Sequence, residues 1–81
     1  MGDVDQRFGS VIRHWREARG WSQERLARRA QINRCFMGEI ERATAMPSLA
    51  TAAKLARALD MPLSRLISHC ENQAPDSANP D

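Results

Sequence analysis

The chain has 81 residues, a formal net charge of +2 and 42% hydrophobic residues. That length supports one domain with one modest core and leaves little room for a buried catalytic cleft. No apolar run approaches the roughly 18 residues of a membrane span, and no signal-peptide pattern opens the chain, so the expected setting is cytoplasmic, with no membrane partner. The small net charge conceals an uneven distribution. Residues 7–70 hold all twelve basic groups, eleven of them arginine, against five acids, which puts this part at +7. The other acids stand at the ends: Asp3 and Asp5 in front, then Glu71, Asp76 and Asp81 behind. A folded part with that excess favours a polyanionic partner. Cys35 and Cys70 form no CxxC or other metal-type spacing, and neither a metal nor a cofactor is expected.

Residues 1–6 are polar and are expected to be flexible. A first helix is predicted over residues 7–19, with Phe8, Val11, Ile12, Trp15 and Ala18 at core spacing and Gly20 as a left-handed cap. "WSQERL" opens a second helix with Ser22 as N-cap and Trp21 and Leu26 as its hydrophobic staple. This helix reaches Ala30, with Leu26, Ala27 and Ala30 inward, and Gln31 makes the turn. Asn33 caps a third helix, with Ile32 and Met37 as staple. Ser48 caps a fourth, with Leu49, Ala52, Leu55, Ala56 and Leu59 inward, before Asp60 turns the chain. A last helix starts near Pro62 and carries Leu63, Leu66, Ile67 and Cys70. A domain this small should not need all four inside, so they are candidates for a dimer contact. The tail 71–81 is acidic, has no large apolar residue and is expected to be disordered. The domain boundaries are thus 1–6, 7–70 and 71–81, and the fold is all-α: five compact helices with a central helix-turn-helix.

"INRCFMGEIERA" is odd for a helix. Arg34 falls in its first turn, where the macrodipole disfavours positive charge by roughly 0.3–1 kcal/mol. Gly38 falls near its middle, at a cost of about 1 kcal/mol relative to alanine. On a wheel of about 100° per residue, Phe36, Met37, Ile40 and Glu41 share one side. Arg34, Cys35, Gly38, Glu39 and Arg42 share the other. The first side is a core face with a carboxylate at its edge. The second combines small residues, which permit close approach, with side chains able to bond base edges and phosphates. A helix that reads DNA accounts for both penalties.

At this point the sequence resembles the Cro/repressor-type (XRE) helix-turn-helix family, phage-repressor-like in fold. The resemblance covers residues 8–67 and rests on "IRHWREARGWSQERLARRA", "INRCFMGEIERA" and "PSLATAAKLARALDMPLSRLI" taken together. It implies a five-helix domain that regulates transcription as a homodimer on a partly palindromic double-stranded operator. It further implies that Arg34, Cys35, Gly38 and Glu39 read bases. Gln23, Arg42 and the loop 44–46, Thr44 included, would contact the DNA backbone, and Arg16 and Glu41 would form an ion pair tying the first helix to the third. Gln31 and Ala43 stand where the family usually has turn glycines, and "ATAM" replaces a loop that is often basic.

The leading functional expectation is therefore a sequence-specific transcriptional regulator. The alternative is an antitoxin or similar module that binds a small protein partner as well as DNA. An enzyme is not expected: the chain offers no nucleophile–base pair, no phosphate-cradling glycine loop and no ligand cluster.

Overall fold

Ser22, Asn33 and Ser48 each stand in extended backbone and accept a hydrogen bond from an amide two or three residues on. An N-cap satisfies an otherwise unpaired helix donor in this way. The computed structural model describes residues 3–72. It contains α1 (Asp3–Ala18), α2 (Gln23–Ala30), α3 (Arg34–Glu41), α4 (Leu49–Ala58) and α5 (Leu63–Asn72), and no strand among the described residues. α1 begins at Asp3, so residues 3–6, expected from their polarity as a lead ahead of the helix, lie within it. Of the predicted acidic tail 71–81, the first two residues continue α5, while 73–81 lie outside the described residues.

Four helices end alike. Gly20, Gln31, Ala43 and Asp60 take left-handed conformations with φ of 71°, 61°, 63° and 62°. The amide that follows each one bonds back to a carbonyl inside the helix: Trp21 to Arg16, Ile32 to Ala27, Thr44 to Glu39 and Met61 to Ala56, at 2.9–3.2 Å. This is the Schellman arrangement, which closes the last turn and reverses the chain sharply. Such tight reversals let helices of eight to sixteen residues fold back on one another.

α1 lies against α3 and α5, α2 against α3 and α4, and α4 against α5. Between them Phe8, Ile12, Leu26, Met37, Ile40, Leu55, Leu59 and Leu66 are almost wholly removed from water, each contributing roughly 1.5–3 kcal/mol. Three expectations need correction. Ala18 is exposed; Arg19 ends the apolar stripe of α1 instead, its guanidinium over the Trp15 and Trp21 rings and its Nη2 donating to the Leu59 carbonyl. Leu49 is 72% exposed, because Pro47 just before the cap is buried together with Ala52 and takes the staple position. Leu66 and Cys70 are buried in the domain's own core, so their side chains are not available to a second chain. Leu63 is half-buried, and Ile67 alone of the four candidates is exposed. Burial pushes the Cys70 thiol above its ordinary range, against the pull of nearby Arg7.

Candidate nucleic-acid interface

The turn at Gln31 sets α3 across α2, with Met37 and Ile40 buried and Phe36 half-buried beneath. The opposite side of α3 presents Arg34, Cys35, Glu39 and Arg42 to solvent. Gln23, from the first turn of α2, joins them: Gln23, Arg34, Cys35, Gly38, Glu39 and Arg42 line one shallow depression. The wheel placed five of these on one side, and the tertiary fold adds the sixth. Arg34, Glu39 and Arg42 enter no ion pair among the described residues. α3 has no acid in its first turn to offset Arg34, so the macrodipole penalty stands uncorrected in the free protein.

Beneath this face lies a polar network. Arg16 Nε donates to Glu41 Oε2 at 2.7 Å and Arg16 Nη2 donates to Glu41 Oε1 at 3.1 Å. The pair is two-pronged, and the side chains are 11% and 3% exposed. Arg16 Nη1 also donates to the Trp21 carbonyl at 2.7 Å, and Gln23 Nε2 donates to Glu41 Oε1 at 3.0 Å. Glu41 therefore ties α1, the α1–α2 turn and the start of α2 to α3. The hydrogen bonds to Glu41 raise the Arg16 pKa despite burial. The link from Gln23 to Glu41 was not foreseen in the sequence, which suggested only the Arg16 partner.

Two site residues have contacts within the chain that the sequence does not indicate. Gly38 is buried, not open to solvent: a Cβ there would meet Arg42 Nη1 at 3.0 Å and Gln23 Oε1 at 3.5 Å. Thr44 donates its hydroxyl to the Glu39 carbonyl at 3.2 Å, so its one proton caps α3. One residue was missed altogether. Gly9, buried in α1, lies where a Cβ would stand 2.5 Å from the Ile40 carbonyl oxygen and 2.8 Å from that of Glu41. The absence of a side chain lets α1 press against the end of α3. The mid-helix penalty that singled out Gly38 applies equally to Gly9 and was the available signal.

Trp15 and Trp21 are half-buried and pack against the core. Arg25 and Arg29 stack over Trp21 at 5.5 and 4.6 Å from its centre, and Arg28 pairs with Glu24 on the exposed side of α2. Among the described residues no group of three or more His, Cys, Asp or Glu is arranged to hold a metal ion. No described helix is long and apolar enough to cross a membrane.

Residues 7–66 match the family model of the helix-turn-helix domain. The chain is 31% identical over 80 residues to the HTH-type transcriptional regulator SutR of Escherichia coli (strain K12), covering 99% of this chain and 45% of SutR. It thus spans a little under half the length of that relative. The restriction-modification controller protein C.AhdI from Aeromonas hydrophila superposes with a TM-score of 0.76 at 38% identity, over 82% of this chain and 98% of its own. The clp gene regulator ClgR from Corynebacterium glutamicum gives a TM-score of 0.82 over 89% of this chain and 77% of its own, at 18% identity. The ClgR likeness is one of fold alone.

Proposed function

Because the chain belongs to the helix-turn-helix domain family, we propose that it is a sequence-specific regulator of transcription that binds double-stranded DNA through α3 and the start of α2. The observation that carries this reading is the single depression on which Gln23, Arg34, Cys35, Gly38, Glu39 and Arg42 converge. An α-helix such as α3, about 10–12 Å across with its side chains, suits a major groove about 12 Å wide. Arg34, at the N-terminal end that usually enters the groove, offers a donor fork to O6 and N7 of guanine, and Glu39 accepts from N4 of cytosine. Cys35 makes apolar contact with a thymine methyl. Gln23 keeps one amide N–H beyond the one given to Glu41, and with Arg42 it grips the phosphates that set the register. The named roles of SutR and C.AhdI in regulation and control support the same class of function here. Two copies, placing their α3 helices about 34 Å apart in successive major grooves, read a partly palindromic operator.

Selection of bound duplexes from a random pool tests this reading. It should return a half-site repeated at one helical turn. Arg34→Ala should then cost roughly 1–3 kcal/mol on the preferred site and relax selectivity at one base pair. Equal loss on every sequence, with selectivity intact, would remove Arg34 from the base-reading set.

A further inference from the structure

A glycine in the middle of an eight-residue helix weakens it relative to alanine, so Gly38 needs a compensating use. Close approach to DNA is the obvious one, but Gly38 is already covered in the free protein. What covers it belongs to its own domain. Arg42 Nη1 and Gln23 Oε1 lie 3.0 and 3.5 Å from the point a Cβ would occupy. Helical side chains lean towards the N-terminus, so the Arg42 guanidinium drops back one turn and rests on position 38. Gln23 approaches the same point from α2, held by its bond to Glu41 at 3.0 Å.

We propose that Gly38 is the seat of the Arg42 guanidinium, and that Gly38 and Glu41 are positioning residues which assemble Arg42 and Gln23 into one clamp for a DNA backbone phosphate. This rests on the DNA-binding reading above. Gln23 brings its remaining amide N–H, and Arg42 brings a planar set of charged donors suited to phosphate. Gln23 is held by its bond to Glu41 before DNA arrives, so less of its conformational freedom is lost on binding. On this account the missing Cβ makes room for an arginine, and the DNA itself need not touch position 38.

The seat is tested first in the free protein. Nuclear Overhauser contacts from the Arg42 side chain to the Gly38 α-protons are expected, and their absence overturns the seat whether or not the protein binds DNA. Duplex binding is then titrated against salt for the wild type, Gly38→Ala, Arg42→Ala and the double variant. Gly38→Ala should weaken binding several-fold on all sequences and lower the salt dependence towards that of Arg42→Ala. Its melting temperature should hold or rise, since alanine favours the helix. In the Arg42→Ala background the same Gly38→Ala change should have no further effect. Equal losses in both backgrounds would mean that the Cβ obstructs DNA directly, and wild-type binding by Gly38→Ala would also defeat the proposal. Losses from Gln23→Ala and Arg42→Ala should fall short of additive, because one phosphate is shared; strict additivity overturns the clamp. A wild type that binds no duplex removes the DNA reading, a result separate from the fate of the seat.

Discussion

Gln31, Ala43 and Asp60 share a backbone conformation, φ near 61–63°, in which an L-residue's Cβ crowds its own carbonyl at a cost of roughly 1–2 kcal/mol. Asp tolerates this region better than Gln or Ala, since its short polar side chain bonds locally. The strain persists because each residue closes a helix whose last carbonyls would otherwise lack donors. Gln31→Gly and Ala43→Gly should each therefore stabilise the domain by up to about 1 kcal/mol, the relief being partly offset by glycine's greater freedom when unfolded. Urea denaturation measures this directly, and a lowered midpoint in both variants would show the strain to be absent. The family resemblance marked these two positions, because the sequence departs there from the usual glycines. Asp60 was legible more simply, as a polar residue between two apolar helical patterns.

Glu41 and Gly9 act between elements. Glu41 holds α3 to α1 and α2 through Arg16 and Gln23, and Gly9 allows α1 to lie against the carbonyls at the end of α3. Removing one member of a buried ion pair typically costs about 3–5 kcal/mol, a large share of the 5–15 kcal/mol or so that small domains possess. Glu41→Ala should lower the melting temperature steeply, and a double replacement of Arg16 and Glu41 by apolar residues should recover much of the loss. If Glu41→Ala melts like the wild type, the network holds nothing together. Gly9→Ala sets a gain of about 1 kcal/mol in helix propensity against an overpacked contact with backbone, worth about 1–3 kcal/mol. Net destabilisation is expected in the same melts. An unchanged or raised melting temperature would mean that α1 shifts freely. At this scale the sequence was informative wherever a signal is local. Caps at Ser22, Asn33 and Ser48 and the staples Trp21–Leu26 and Ile32–Met37 each lie within a few residues, and they place the helices. Periodicity marks an apolar face but does not say which helix covers it. Hence the pattern turns Leu49 inward and leaves Leu66 for a surface, whereas the fold exposes the first and buries the second, and the close contacts at Gly9 and Gly38 have no mark in it.

On the proposed reading one copy of the chain offers DNA a single short helix, and specific binding by such modules generally draws on two half-sites one helical turn apart. We propose that a second copy would meet the first on an apolar strip between α4 and α5. Ala53 and Leu63 line the same depression between α4 and α5. Leu49 precedes Ala53 by four residues and Ile67 follows Leu63 by four, so each continues that strip along its own helix. Leu49 is 72% and Ile67 37% exposed, so both side chains are open to a second copy. Dimerisation through this strip separates two neighbouring positions cleanly. Ile67→Arg should leave helicity and melting of the protomer nearly intact, sediment as a monomer, and bind a palindromic operator far more weakly than a dimer. Leu66→Arg, which buries a charge in the core, should instead fail to fold, because an unpaired buried cation is not tolerated. Sedimentation and circular dichroism on both variants decide the matter. A wild type that stays monomeric at high concentration and on operator DNA would leave the α4–α5 strip without a role in pairing.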